Sequence, residues 1–393
     1  MAKDLSPFYP PQQKPLLIRL IQSVANPLTQ LLYKIEVVVP DEAVAQLKAL
    51  ESHRLVYMCN HPTMEDGVAV FGLSARVGQL FYYIVARESF KGLLGKFLQG
   101  IGCYSIRRGL GDRASIGQTL SLLKTPGCRL VIFPEGGCSY QNDTIMPFRS
   151  GAIQMPLQAM GQLAKQAIAD IPDLYLVPVS LKYRYTQPTE PIIEQTLKGL
   201  EHALEITPKP NQKFYGRLIA IASQVITRLE AEYGLSTDTT CTWNERIDLL
   251  RLHVIAQCEQ QLGLESKLTS PVRERVYKVQ SVLETKEATS PEDEALHEAL
   301  YWTTVRLLNF DAIYDGYVAE NPTPERFLDT LMRLEREVYK IEHIKPKAHR
   351  QAIFNIGEPV NLKDYVDEYR KNKSATVENL TQALQAITQA NLQ

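Results

Sequence analysis

Hydrophobic and polar positions follow three different textures along the chain. In residues 15–34, Leu17, Leu20, Ile21, Val24, Leu28, Leu31 and Leu32 fall at helical spacing, with Pro27 expected to bend the pattern. This stretch reads as an amphipathic helix pair, packed either on the protein's own core or, with Arg19 and Lys34 near headgroups, on a membrane face. From about 53 to 185 the apolar runs become short and β-rich: RLVYMCN, FYYIVAR, CRLVIFPEG and LYLVPVSLKYRY, separated by helical segments at 114–124 and 151–168. Alternation of strand and helix predicts an α/β fold, a mixed sheet flanked by helices on both faces.

Residues 188–348 are long, charged and helical in pattern. Start signals recur there. TWNE at 242 is a capping box, while SPVRE at 270, SPEDE at 290 and TPERF at 323 pair an N-cap hydroxyl with proline at the first helical position. The region reads as a large α-helical insertion without an internal repeat. HRQAIFNIGEPVNL, residues 349–362, then returns to a strand that rejoins the first sheet, and TVENLTQALQAI from Thr376 forms a last amphipathic helix. The expected division is an N-terminal amphipathic segment at 1–40, an α/β core at 41–187, the insertion at 188–348, and a returning strand with a C-terminal helix at 349–393.

At 393 residues the chain exceeds what one compact core usually holds, which fits a core plus a large insertion. A net charge of −1 offers no global attraction to nucleic acid or anionic lipid. Nucleic acid is therefore not an expected partner. The six cysteines contain no C-x-x-C pair and suit reduced thiols in a cytoplasmic protein. No apolar run approaches the roughly 18 to 20 residues needed to cross a bilayer, and MAKDLSPFYPPQQKP lacks the form of a signal peptide. Work on lipids would be done from one membrane face, with residues 15–34 and FKGLLGKFLQGIG at 90–102 as candidate surfaces.

Candidate chemistry sits where strands run into loops. CNHPTMEDG, residues 59–67, places His61 five positions before Asp66. Residues five apart in an ideal helix point about 140° from one another, so a bond between them requires His61 outside the helix. Pro62 is expected to start that helix, capped by Asn60 or His61. A carboxylate on one ring nitrogen leaves the other basic, as proton abstraction from a hydroxyl requires. An unperturbed histidine, near 6.5, is mostly neutral at pH 7. FPEGGCS presents Glu135 to hold a hydroxyl and the amides of Gly136 and Gly137 to hold an oxyanion. Arg107 and Arg108 in GCYSIRRG, with Arg149 in PFRSGA, offer a phosphate clamp.

Taken in order, these stretches resemble the motifs of the glycerolipid acyltransferase superfamily, whose best-known members are the 1-acylglycerol-3-phosphate acyltransferases. The first motif, NHxxxxD, is matched by Asn60, His61 and Asp66; the second by YSIRR; the third by FPEGGCS and PFRSGA; the fourth by Val177, Pro178 and Val179. IGEPVNL resembles the strand that closes the family's domain. The resemblance covers 50–185 and about 350–390 and says nothing of the helical insertion. It implies acyl transfer from acyl-CoA or acyl-carrier protein to a lysolipid hydroxyl, with His61 as base, Asp66 orienting it, and neither metal nor bound cofactor. At one place the chain departs from the pattern. Cys138 stands where the third motif carries an arginine that helps hold the acceptor's phosphate.

Rival readings remain. A serine hydrolase lacks its G-x-S-x-G elbow, a metal hydrolase lacks zinc-type histidine spacing, and a non-catalytic lipid-binding homologue would not need His61, Asp66 and Glu135 together.

Overall fold

The computed structural model describes residues 8–109, 111–166, 170–238, 240–311 and 313–393. Residues 1–7 of the expected N-terminal segment and 167–168 of the second expected helix lie outside them. The chain divides into two units: residues 7–107, 112–186 and 349–393 form an α/β unit, and residues 187–348 with 108–111 form a helical unit.

In the α/β unit the described strands are β1 (Ile35–Val38), β2 (Arg54–Cys59), β3 (Tyr82–Ala86), β4 (Cys103–Ile106), β5 (Arg129–Ile132), β6 (Leu174–Tyr185), β7 (Arg350–Ile356) and β8 (Val360–Asn361). They form one sheet in the order β1-β7-β6-β2-β5-β3-β4, with β8 beside β6. Most neighbours are parallel, but β7 and β8 run antiparallel to β6, so the sheet is mixed as expected. The late strand thus returns across the insertion to pair Tyr183 with Ala352 and Tyr185 with Arg350.

Both faces of the sheet are covered, which explains why its strands read as continuous apolar runs. Val56 and Met58 of β2 enter one core with α6 (Arg113–Lys124), α7 (Ser150–Gln166) and the C-terminal helix Lys373–Ala390. Leu55, Tyr57 and Cys59 enter the other, with α3 (Asp41–Ala49) and α4 (Asp66–Val77). Residues 15–34 form the expected helix pair, α1 (Pro15–Ser23) and α2 (Ala25–Tyr33). The break falls at Val24, not at Pro27. Pro27 lies in the first turn of α2, where a missing N–H removes no helical bond. A fifth helix, α5 (Gly92–Gly100), covers part of the 90–102 stretch.

The helical unit contains α8 (Glu190–Leu204), α9 (Phe214–Glu232), α10 (Trp243–Gln261), α11 (Val272–Thr285), α12 (Pro291–Asn309), α13 (Tyr317–Glu320) and α14 (Pro324–Val338) among its described residues. Thr242 makes its capping box, and Ser290 and Thr323 cap α12 and α14 as their motifs predict. The SPVRE motif departs from expectation. Pro271, not Ser270, is the N-cap residue of α11, and no side chain caps it.

The unit also carries a repeat that the sequence reading missed. Glu201, Glu230 and Glu259 recur every 29 residues, and so do Arg217, Arg246 and Arg275. Each arginine, near the start of one helix, grips the glutamate near the end of the preceding one with two bonds of 2.6 to 2.9 Å. The same period returns in the helix ends. Glu205, Gly234 and Gly263 adopt left-handed φ of 59°, 72° and 66°. The next amides, of Ile206, Leu235 and Leu264, close back on the glutamate carbonyls at 2.8 to 2.9 Å.

Candidate active site

The His61 to Asp66 segment leaves the C-terminal end of β2, beyond the parallel strands, where α/β sheets place their chemistry. α4 begins at Asp66 and not at Pro62. The reason is local: the Asp66 carboxylate reaches back to the Thr63 amide at 2.9 Å and its hydroxyl at 2.8 Å, folding residues 63–66 into a turn. His61 therefore stays outside the helix. Its Nδ1 meets Asp66 Oδ2 at 2.7 Å.

Asp66 is fully buried, whereas the His61 side chain keeps 20% of its surface open. With Nδ1 engaged, Nε2 is the nitrogen left for substrate. Phe133 stacks on the ring, with centroids 4.4 Å apart. Cys138 Sγ lies 3.5 Å from Nε2 and 3.6 Å from Nδ1. A hydrogen bond along one nitrogen's lone pair would leave the other nitrogen far more distant, so the sulfur sits against the ring rather than in line with either nitrogen. Burial favours the neutral ring. The electrostatic influence of Cys138 and the hydrogen bond and charge of Asp66 outweigh it, and His61 is raised well above an ordinary histidine. The expectation of an unperturbed ring is corrected: its surroundings raise it.

Glu135 occupies a different role from the one its motif suggests. It is buried, with one carboxylate oxygen taking the His61 amide at 2.6 Å and the other the Met146 amide at 2.9 Å. It braces the backbone of His61 instead of holding a substrate hydroxyl. Ser139 adds a second tie, its amide donating to the His61 carbonyl at 2.8 Å. The Gly136 amide is used within its own turn, donating to the Phe133 carbonyl at 3.0 Å, which takes it out of the expected oxyanion pair with Gly137. Gly136 has φ +73°, and a Cβ there would lie 2.3 Å from Arg149 Nε. Glycine is required so that the Arg149 side chain can lie across the turn, where Nε donates to the Glu135 carbonyl at 3.3 Å.

Asn60 is a sheet residue, not a substrate contact. Its amide bonds the Leu181 carbonyl at 2.9 Å and accepts from the Leu181 amide at 2.7 Å. Two residues further along β6, Asn142 makes the same pair of bonds with Tyr183, at 2.7 and 2.6 Å. β2 ends at Cys59, opposite Val179. Beyond that point the two asparagine side chains satisfy β6 groups that would otherwise lack partners. The tandem arginines part company. The Arg107 amide donates to Asp112 at 2.9 Å, whereas Arg108 belongs to the helical unit, its guanidinium 4.5 Å above the Tyr277 ring.

Thr63, Asn142, Tyr183 and Arg350 escaped the sequence reading. Tyr183 donates its hydroxyl to Asp66 Oδ1 at 2.8 Å, and Arg350 stacks on the Tyr183 ring at 4.3 Å. Both lie on strands whose apolar neighbours made them read as sheet. Among the described residues no three or more His, Cys, Asp or Glu side chains come together in a way that could hold a metal ion.

No curated protein sequence matches the chain. Residues 37–182, running from β1 through most of β6 and including His61, Asp66, Glu135 and Cys138, match the Acyltransferase family model. That stretch of the α/β unit is thus similar to the Acyltransferase family over residues 37–182.

Proposed function

We propose that the chain transfers a fatty acyl group from a thioester, acyl-CoA or acyl-carrier protein, to a glycerolipid hydroxyl, most readily that of 1-acylglycerol-3-phosphate in phospholipid synthesis. The observation that carries this reading is the 2.7 Å bond between His61 Nδ1 and buried Asp66, which leaves Nε2 for the acceptor. His61 takes the hydroxyl proton as the oxygen attacks the thioester carbonyl. Collapse of the tetrahedral adduct expels the thiolate, which receives the proton from His61. Asp66 holds the ring in the required tautomer and stabilises the imidazolium.

Of the other acceptors, glycerol 3-phosphate or a neutral lipid hydroxyl, the neutral one is favoured by Cys138 in place of the third motif's arginine and by the stacking of Arg108 on Tyr277. Transfer of radiolabelled oleate from oleoyl-CoA and from oleoyl-acyl-carrier protein to a panel of lysophosphatidate, glycerol 3-phosphate and neutral lysolipids decides between them. Product with lysophosphatidate alone supports the first reading; product with neutral acceptors alone supports the second.

Among the described residues no helix is long and apolar enough to cross a membrane. The acceptor is reached from a membrane surface through exposed leucines: Leu16, Leu20, Leu31 and Leu32 on α1 and α2, and Leu93 and Leu94 on α5.

A further inference from the structure

Asp66 accepts four hydrogen bonds. Oδ2 takes His61 Nδ1 and the Thr63 amide, and Oδ1 takes the Thr63 and Tyr183 hydroxyls. Thr63 lies on the same turn and follows wherever that turn goes. Tyr183 is the partner that comes from another element, β6, so it alone of these relates the carboxylate to the sheet.

Tyr183 is itself held on every side. Its backbone is gripped by Asn142, its ring carries the Arg350 guanidinium, and Arg350 Nη2 pairs with Glu65 Oε2 at 2.8 Å. Glu65 immediately precedes Asp66. The turn between His61 and α4 is therefore fastened to the sheet twice, by Asp66 to Tyr183 on β6 and by Glu65 to Arg350 on β7. Both tyrosine and arginine are buried. Burial and then the Asp66 carboxylate push the Tyr183 hydroxyl well above an ordinary tyrosine, which keeps it a donor.

We infer that Tyr183 and Arg350 are positioning residues for the His61 to Asp66 pair: they fix the carboxylate against the sheet and spread its charge, which sets both the orientation of the imidazole and how firmly it holds its proton. The inference rests on the acyl-transfer reading for its kinetic consequence. The charged and titratable groups about the pair include Cys138 against the ring, Glu135 on the His61 amide, the buried Cys59 thiol at the end of β2, which feels both Asp66 and Glu135, and Tyr183, Arg350 and Glu65 behind Asp66.

The test compares full-length wild type, Tyr183→Phe, Arg350→Met and His61→Ala in oleoyl transfer from oleoyl-CoA to 1-oleoyl-lysophosphatidate. Titration of His61 by NMR on histidine-labelled protein runs alongside, with no dependence on any substrate. Tyr183→Phe leaves Asp66 with one donor fewer, so its charge acts more strongly on the imidazolium. The expected result is a kcat lowered about 10- to 100-fold, as small misplacements of a catalytic group produce, with KM unchanged. The acidic limb of the pH profile and the His61 titration both move to higher pH. Arg350→Met moves both in the same direction by less. A purely structural role would lower the melting temperature and leave the titration in place, and that result overturns the inference. So does a Tyr183→Phe kcat equal to wild type when His61→Ala is inactive. Absence of transfer by the wild type would instead remove the acyl-transfer reading, full activity of His61→Ala would remove only the role of His61 as base, and the NMR titration would still decide whether Tyr183 governs the pair.

Discussion

The sulfur of Cys138 lies nearly equidistant from the two ring nitrogens of His61, at 3.5 and 3.6 Å. A nucleophilic cysteine paired with a histidine points along one nitrogen's lone pair. The arrangement found here is that of a neighbour that modulates the ring. Cys138→Ala should therefore retain transfer to within a fewfold of wild type, checked by steady-state kinetics. Complete loss of transfer, or an acyl group captured on the wild-type cysteine by mass spectrometry, would contradict it.

The pH dependence follows from the same contacts. A base must lose its proton before it acts, and His61 is raised, so activity is absent at low pH and appears only as pH rises through the elevated value. The acidic limb of kcat/KM should lie above about 6.5, the ordinary histidine value. Removing the Cys138 contribution in Cys138→Ala should lower the limb. A limb at or below the ordinary value in wild type would show that the ring's surroundings do not favour the imidazolium.

Glu135→Gln should weaken both fold and activity. The two carboxylate oxygens accept the amides of His61 and Met146, and glutamine presents one NH2 where an acceptor is needed. An unsatisfied buried donor costs about 1 to 3 kcal/mol. Denaturant unfolding reads the stability loss, and kcat reads the freed His61 backbone. An unchanged unfolding midpoint would mean that the brace carries no weight.

How far this was readable from sequence varies with the length of the signal. Strands β2, β3, β5 and β6 were legible because both faces of the sheet are buried, so each run is apolar throughout, and the late IFNI strand stood out against helices; β1 was not, because its four residues fall inside the stretch expected to be the N-terminal amphipathic segment. The His61 and Asp66 pair was legible because Pro62 and the spacing force the histidine out of the helix. Tyr183 and Arg350 were not, since they reach the pair through strand pairing across residues 183 and 350, and no local pattern encodes that. Glu135 and Asn60 were visible as motif residues, but whether a polar side chain faces substrate or a neighbouring amide is decided by burial. The helical repeat was hidden for another reason. Its period lives in a few Arg, Glu and Gly positions, while the apolar residues between them vary.

The repeat makes its own prediction. Arg246 and Glu230 are both buried, with closest approach 2.7 Å. Arg246→Met leaves Glu230 charged and unpaired, a loss of about 3 to 5 kcal/mol, whereas adding Glu230→Leu should restore most of it because the desolvation of both ions disappears together. Urea unfolding of the single and double variants checks this. Equal losses in the two would show that packing, not charge pairing, is at issue.

Membrane contact is tested by Leu16→Asn with Leu31→Asn, residues 88% and 79% exposed. Burying one leucine contributes about 1.5 to 3 kcal/mol, and about 1.4 kcal/mol is tenfold in affinity. Co-sedimentation with liposomes should weaken at least tenfold. Undiminished binding would place the contact elsewhere.

The most direct measurement is transfer of labelled oleate from oleoyl-CoA to lysophosphatidate by His61→Ala, with folding verified by thermal unfolding. A positioned base contributes about 10² to 10⁴ in rate, so the variant should lose at least a hundredfold while melting as wild type does. A folded His61→Ala protein that turns over within a fewfold of wild type would contradict the role assigned to His61.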